Sequence, residues 1–571
     1  MKCALFFHYK NIIKRFVGNE YEDLVSVDPP KDESFGDFST NIAMILAKKV
    51  GKAPLVIANE LCEQLKSSED FADVSVKAPG FINWRIPSRI IIEHCNYMLQ
   101  KDFGKTNIGD GQRVNIEYVS ANPTGPLHAG HARGAVSGDV LANLLSFVGY
   151  DVTKEYYIND AGKQIEILAS SLRYRYLELF QKADGELPSW AYPGEYLVNT
   201  AKKLKEKYGD SFVDKDESEW GPFFKEFAIA DMMDCIKEDL DGLGIRHDIF
   251  SSELKHIKAG AVENAIDFLR SKGLIYTGVL DVPKGKEPDD WEEREQLLFR
   301  ATLFGDDVDR PLQKSDGSWT YFASDIAYHL DKITRGFDEM INFWGADHGG
   351  YVRRMQSAVS ALSDNQKKLQ VKIVQLVRFM KNGQEVRMSK RAGTFVTVRD
   401  VLDNVGKDVT RFIMLTRRDD ASMDFDFQKV VDQSRDNPVF YVQYAYARTH
   451  SVLKQFAQTF NKPVSDVADV NLSLLDSDAE LQLLKTLADW PRQVVMAAQN
   501  KEPHRLAFYL SELASKFHFL WNQGKDNAML RFVIADDFQR TSAKMVLVMV
   551  MQNVIESAFG IIGVTPIKEL R

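Results

Sequence analysis

Residues 113 to 158 read RVNIEYVS (113–120), ANPTGPLHAG (121–130), HARGAVSGDVLANLLSFVGY (131–150) and DVTKEYYI (151–158). The first piece alternates and is rich in β-branched residues, as a strand does, and the second is a Pro/Gly loop. The third places apolar residues at 136, 140, 141, 144, 145 and 148, the spacing of a helix face. The fourth is strand-like again. Strand, loop, helix, strand is the βαβ rhythm from which right-handed parallel sheets are built.

Working outward, residues 1–108 read as a small α+β unit. It has a helix-like opening, the helical spacing of GDFSTNIAMILAKKVGKAPLVIANELCEQL, and the strand-like pieces ADVSVKAP and GFINWRI, and NIGDGQ (107–112) marks its end. Between about 160 and 320 the pattern is mostly long helices, with PKGKEPDDWEEREQ facing solvent, so this stretch is expected to be a helical insertion between two halves of the sheet. SDIAYHLDKITRGF, MINFWG, YVRRMQSAVSAL and VKIVQLVRF then restore the alternation through residue 379. From about 430 onward four helical segments fit the text, beginning at Asn437, Asp478, His504 and Thr541.

The chain has 571 residues, room for three to four domains at about 150 residues each. With 44% hydrophobic and 27% charged residues it has the composition of an ordinary globular protein. The longest apolar run, Met545 to Met551, falls short of the ~18 to 20 residues that a bilayer-spanning helix needs. The opening MKCALFFHYK is too short in apolar residues for a signal-peptide core, so a cytoplasmic, unprocessed protein without a membrane anchor is expected. Cys3, Cys62, Cys95 and Cys235 form no CxxC pair, and no bound metal is expected. A net charge of −9 argues against unspecific adhesion to nucleic acid and leaves room for a local basic groove.

The segment richest in chemistry is His128-Ala129-Gly130-His131. It lies where a strand's carboxyl end turns into a helix, the place where open parallel sheets bind nucleotides and helix N–H groups favour phosphate. Two imidazoles three apart face one side, and Gly130 admits close approach of a ligand. On four residues alone a structural turn explains the motif as well, and a metal pair lacks a third ligand. Arg387-Met388-Ser389-Lys390-Arg391 gathers cations downstream of the sheet; alone it reads equally as a solvated basic turn, while beside a nucleotide it can neutralise charge developing on phosphates. Tyr321 and Asp325 are four apart and on a helical turn point the same way, although a capping Asp after a buried Tyr fits too. Trp344-Gly345-Ala346-Asp347-His348-Gly349-Gly350 ends a strand, where small residues admit a nucleoside and Asp347 can accept from a ribose hydroxyl or a cation. Tyr441, Tyr444, Tyr446, Arg448 and His450 mix aromatics and cations as base-stacking surfaces do, or line a helical core.

HAGH followed by RMSK resembles the HIGH and KMSKS signatures of class I aminoacyl-tRNA synthetases. EYVSANPTGPLHAGHARGA, LLFRATLFGDD, TYFASDIAYHLDK, NFWGADHGGYVRRM and RMSKRAGTFVT together resemble bacterial arginyl-tRNA synthetases over almost the whole chain. Arg387 stands where that family's motif has its first Lys, and Arg391 where it has its final Ser. The resemblance implies an α/β protein: a Rossmann-like parallel-sheet catalytic domain with a helical insertion, an N-terminal α+β domain and a C-terminal all-α bundle. The divisions expected are 1–108 touching the tRNA elbow, 109–380 catalytic with the insertion around 160–320, 381–430 for the RMSK loop and its stem, and 431–571 as a DALR-type anticodon-binding domain.

The activity it implies is ATP-dependent ligation of L-arginine to tRNA(Arg) by a monomer. Mg2+ would accompany ATP, and activation would wait for bound tRNA. His128, His131 and Lys390 would be catalytic. Pro123, Thr124, Gly125, Gly130, Gly345, Asp347, His348, Met388 and Ser389 would join them around ATP. Glu117, Ser120, Asn122, His128, Tyr321 and Asp325 would hold arginine, and Tyr441, Tyr444 and Arg448 would meet the anticodon. The weighed rivals are an adenylating enzyme that uses no tRNA, a synthetase for another amino acid, and a non-catalytic RNA-binding paralogue.

Overall fold

The computed structural model describes residues 5–280, 294–386, 396–434, 436–464 and 470–569. They form two compact units, one of residues up to 106 together with 433 onward, the other of 107–432.

The second unit is built on five strands: β1 Arg113–Glu117, β2 Asp151–Ile158, β3 Ile249–Ser252, β4 Glu339–Gly345 and β5 Lys368–Val374. They stand in the order β5-β4-β1-β2-β3, every neighbour parallel. Val114, Asn115, Ile116 and Glu117 are all buried, as residues on both faces of a covered parallel sheet must be. The chain leaves β1 toward β2 and β3, then returns to the other side of β1 with β4. That reversal opens a crevice beyond the carboxyl ends of β1 and β4.

Helix α1, His131–Phe147, crosses from β1 to β2 and is buried on nearly every side. It fits tightly against the sheet because Gly138 has no side chain; a Cβ there would lie 2.4 Å from Tyr118 Cγ. Helix α2, Tyr321–Thr334, and helix α3, Val352–Ser363, flank β4 and carry a core of Phe322, Ile326, Met355, Val359 and Leu362.

The stretch 160–320 departs from the expected helical insertion. Helices Lys163–Glu178, Tyr196–Tyr208 and Glu217–Gly242 pack around Leu172, Tyr176 and Phe224. After them β3 rejoins the main sheet, and Ile275–Gly278, Gln296–Phe299 and Arg310–Pro311 make a separate antiparallel sheet. Strands of two to four residues are too short for a period of two to stand out in sequence. VKIVQLVRF, expected as one strand, is split: β5 ends at Val374, and Val377–Lys381 pairs instead with Met423–Asp426 and Gln384–Glu385.

In the first unit a three-stranded antiparallel sheet, Phe38–Thr40, Phe81–Arg85 and Ala72–Lys77, packs its buried Trp84 against Tyr9, Phe38 and Phe71. Among the described residues the other end of the chain supplies five long helices where four were expected: Pro438–Phe460, Asp478–Ala488, Trp490–Asn500, His504–Asp526 and Phe538–Ile562. The segment from Asp478 breaks at Asp489, because Pro491 donates no N–H and its ring would crowd the carbonyl of Leu487 in a continuous helix. Phe538–Ile562 is long and apolar enough to cross a membrane by length and composition, yet 67% of its most apolar window is buried inside the protein. A core helix surrounded by others has that composition.

Candidate active site

The loop leaving β1 begins under strain: Val119 and Ser120 have φ of 71° and 37°, a region that a β-branched residue rarely enters. The turn aims the Ser120 hydroxyl so that it donates to Glu117 Oε1 at 3.1 Å and accepts the Tyr157 N–H at 3.1 Å. Asn122 donates through Nδ2 to Gln164 at 2.9 Å, and the Tyr196 hydroxyl donates to the Thr124 carbonyl at 2.7 Å. The helices that follow β2 thereby brace Asn122, Pro123, Thr124 and Gly125. His128 and His131 stack with ring centroids 3.6 Å apart, and His131 opens α1. A Cβ on Gly130 would lie 2.8 Å from His128 Cε1, so only glycine lets the ring fold back over the turn. Both histidines thus stand at a helix amino end in the crevice at the strand reversal, the geometry for receiving phosphates.

Residues 387–395, with Arg387, Met388, Ser389, Lys390 and Arg391, lie outside the described residues. Val396 to Val398 run beside the histidines. The Ala129 N–H donates to Val396 O and the Val398 N–H to Leu127 O, both at 2.8 Å, and His128 faces Thr397 across a β-bridge.

At the carboxyl ends of β1, β2 and β3 lies a cluster rich in carboxylates. Burial pushes Asp325 up to about 7, with Glu117 adding to the rise and the Tyr351 phenol and Lys332 opposing it. Burial, then Asp325 and Asp160, push Glu253 up to about 7 as well; among the described residues no cation pairs with it. Tyr157 stands among them: its hydroxyl is raised first by burial and then by Glu253, Asp325, Glu117 and Asp160. Asp160 accepts from Ser252 Oγ at 2.6 Å and the Leu254 N–H at 2.8 Å. Carboxylates this crowded lower their mutual cost by binding a cation.

Two expected ligands are placed differently than spacing suggests. The phenol that Asp325 accepts from is Tyr351's, at 2.6 Å. Tyr321, 72% exposed at the first position of α2, has the Lys314 ammonium 5.4 Å from its ring, and Thr320 caps the helix. Glu117 already accepts from buried Lys332 at 2.6 Å. Lys332 also reaches Asn342 Oδ1 at 3.4 Å, and Asn342 donates to His329 Nε2 at 3.2 Å. Burial holds His329 down near 3, so the ring is neutral and its Nδ1–H donates to the Asp325 carbonyl at 2.8 Å. Glu253, Asp160 and Tyr351 were missed in the sequence. Glu253 sits where β3 meets a helix, and β3 was too short to be read; Tyr351 lies one residue beyond the glycines of WGADHGG.

That motif forms the short turn Ala346–Tyr351 after β4. Asp347 and His348 are 3.5 Å apart with side chains 81% and 60% exposed, at the open edge of the crevice; Gly345 ends β4. Among the described residues no group of three or more His, Cys, Asp or Glu can hold a metal. In the other unit Arg448 lies 4.1 Å above the Tyr444 ring and 4.5 Å from Trp521, donating to the Tyr444 hydroxyl at 2.6 Å. Tyr441 packs against His518 with rings tilted by 49°, centroids 4.5 Å apart. Tyr446 is fully buried, its hydroxyl bonded to Glu556, and His450 packs against its ring.

A parallel sheet with paired histidines at its reversal, followed in the sequence by a second, basic signature, defines a class I tRNA synthetase catalytic core. Residues 94–451 match the family described as tRNA synthetases class I (R), catalytic domain. Residues 8–86 match the arginyl tRNA synthetase N terminal domain, and 442–570 the DALR anticodon binding domain. The chain is 53% identical to an arginine–tRNA ligase of Roseobacter denitrificans and 52% to one of Ruegeria pomeroyi, over 96% of this chain and 94% of each relative. Its fold is like that of a Thermus thermophilus arginyl-tRNA synthetase, with a TM-score of 0.73 at 20% identity, over 98% of this chain and 100% of that one. The chain belongs to the arginyl-tRNA synthetase family.

Proposed function

We propose that this enzyme ligates L-arginine to the 3′ end of tRNA(Arg) in two steps. The arginine carboxylate attacks the α-phosphorus of ATP, giving arginyl-adenylate and pyrophosphate. The 2′-hydroxyl of the terminal adenosine then attacks the acyl carbon and releases AMP. The observation that carries the substrate choice is the cluster of Asp325, Glu253 and Asp160 around Tyr157, on the same sheet edge from which the histidine loop departs. Arginine's guanidinium is a permanent cation with a planar array of donors, and crowded carboxylates beside a phenol accept such a fork.

Catalysis would be positioning and charge stabilisation, with no covalent nucleophile. His128 and His131 would hold the phosphates together with the amides that open α1. Lys390 would face the departing pyrophosphate, with Met388 and Ser389 beside it. Ser120 and Asn122 would orient the arginine amino and carboxylate groups, while Lys332 keeps Glu117 neutralised. Gly345, Asp347 and His348 would border the nucleoside, and Mg2+ would arrive as the counterion of ATP. Residues 1–108 and 431–571 would carry tRNA, with Tyr441, Tyr444 and Arg448 meeting anticodon bases. The enzyme would work as a monomer in the cytoplasm, where tRNA is charged.

The test is AMP formation with each of the twenty amino acids, with and without total bacterial tRNA, followed by acid-precipitable label on the RNA. Charging with arginine alone, dependent on tRNA, is expected. AMP formed with another acid would overturn the pocket assignment, and no AMP under any condition would overturn the catalytic reading.

A further inference from the structure

The loop from β1 to the paired histidines, residues 118–130, is irregular, so its shape depends on what its backbone groups bond to. One support is a single phenol. The Tyr196 hydroxyl donates at 2.7 Å to the carbonyl of Thr124, a residue 6% exposed, and the Thr124 N–H donates to Asn122 O at 2.7 Å. The ring lies in a slot that two glycines open. A Cβ on Gly125 would lie 3.0 Å from Tyr196 Cζ, and one on Gly194 would lie 2.1 Å from its Cε1, so each position stays bare while the ring keeps its place. Tyr196 opens the helix Tyr196–Tyr208, whose Leu197, Ala201 and Leu204 are buried in the same core as Leu172, Tyr176 and Phe224. The stretch before it is pinned as well: Ser171 Oγ accepts the Tyr192 N–H at 3.0 Å, and Arg175 Nη2 donates to the Pro193 carbonyl at 3.4 Å. Burial, then Tyr192, push the Tyr196 hydroxyl well above the ordinary range of a phenol, so it stays protonated and donating through neutral pH.

We propose that Tyr196 is a positioning residue for ATP: its phenol carries the rigidity of the helical body to Thr124 and Gly125, and so fixes the loop that leads into the histidine turn. The inference rests on the adenylation reading above. An irregular loop that receives a triphosphate binds it better when it is held in shape beforehand, because ordering the loop on binding would cost affinity. A phenol suits the task, since its ring packs as an apolar body and its one polar atom makes the bond. A second contact of the loop with these helices, Asn122 Nδ2 to Gln164 Oε1 at 2.9 Å, is exposed and therefore holds less firmly than the phenol does.

The test is steady-state arginine charging of tRNA by the full chain, with ATP and arginine varied separately, in Tyr196→Phe, Gly194→Ala and Tyr176→Phe. In Tyr196→Phe the ring keeps its slot and only the bond to Thr124 goes. The KM for ATP should rise about five- to tenfold, as when one hydrogen bond is lost and a buried carbonyl is left unpaired, with kcat and the KM for arginine unchanged. Gly194→Ala pushes the ring off the loop from its far side and should raise the KM for ATP in the same way; it decides alone if Tyr196→Phe does not fold. Tyr176→Phe is the matched control. The Tyr176 hydroxyl donates to the Gly209 carbonyl at 2.6 Å within the same helices, so its loss should lower the melting temperature and leave the KM for ATP unchanged. An unchanged KM for ATP in Tyr196→Phe, equal shifts in both KM values, or a raised KM for ATP in Tyr176→Phe would each overturn the proposal. A wild-type protein that fails to charge arginine overturns the adenylation reading instead.

Discussion

At the scale of single residues, chemistry concentrates where the structure holds side chains at a cost. Replacing His131 or Lys390 by alanine is expected to lower adenylate formation by about a hundredfold or more, the range for losing one charge-stabilising group. Pyrophosphate exchange in the presence of tRNA measures it, and near-normal rates in a folded variant would remove the assigned role. Asp325→Asn and Glu253→Gln should each raise the KM for arginine by about a hundredfold, as when one partner of a desolvated charge pair is truncated, and leave the KM for ATP nearly unchanged. Burial lifts both carboxyls to about 7, so the empty pocket holds protons that arginine must displace. The KM for arginine should therefore fall as pH rises from 6 to 8, and Asp325→Asn should flatten that profile. A flat wild-type profile would count against the pocket. The histidine turn was legible in the sequence because its two histidines and the glycine between them sit together in one loop, whereas Asp325 was offered by the family resemblance and by its spacing from Tyr321. Glu253 was not, since it follows a four-residue strand and its partners come from β2 and α2.

At the scale of elements, tight fits limit what can change. Gly138→Ala should destabilise the catalytic unit by about 1 to 3 kcal/mol, the cost of overpacking, because the new Cβ meets the Tyr118 ring at 2.4 Å. Thermal unfolding would report it, and an unchanged melting temperature would mean that α1 slides easily on β1. The elements themselves were read well where they are long: β1, α1 and β2 stand where the alternation and the helical spacing placed them. Short strands failed. The Gln296–Phe299 and Arg310–Pro311 pair has no period to show, and VKIVQLVRF continues its apolar character across a switch between sheets. Pro491 was visible in the text, but whether a proline begins a helix or merely bends one depends on what Trp490 packs against, and here it is Tyr509.

At the scale of the whole molecule, the two chain ends share one unit. Asn553 Nδ2 donates to the carbonyls of Met98, Leu99 and Gln100, and Lys485 bonds both oxygens of Asp37 at 2.8 Å. Deleting residues 1–106 should therefore lower the unfolding temperature of the helices from Asp478 onward, and an unaltered transition would show that they fold without it. Stability should also depend on pH with a definite sign. Asp325 and Glu253 have folded values raised above those of an unfolded chain, so the folded protein binds more protons between about pH 4 and 7. Their contribution to stability is present below that window and is lost as pH rises through it. L-arginine, which restores the balance by pairing with the ionised forms, should raise the melting temperature more at pH 8 than at pH 6. The sequence by itself determined the βαβ start of the catalytic sheet, the histidine turn and the family, because these rest on local periodicity and on residues close together in the chain. Only the tertiary structure decided which phenol serves Asp325, that Lys332 already occupies Glu117, and that Glu253 and Asp160 stand beside them. Those pairings join positions far apart along the chain, and burial, which gives them their energies, exists only once the strands are assembled.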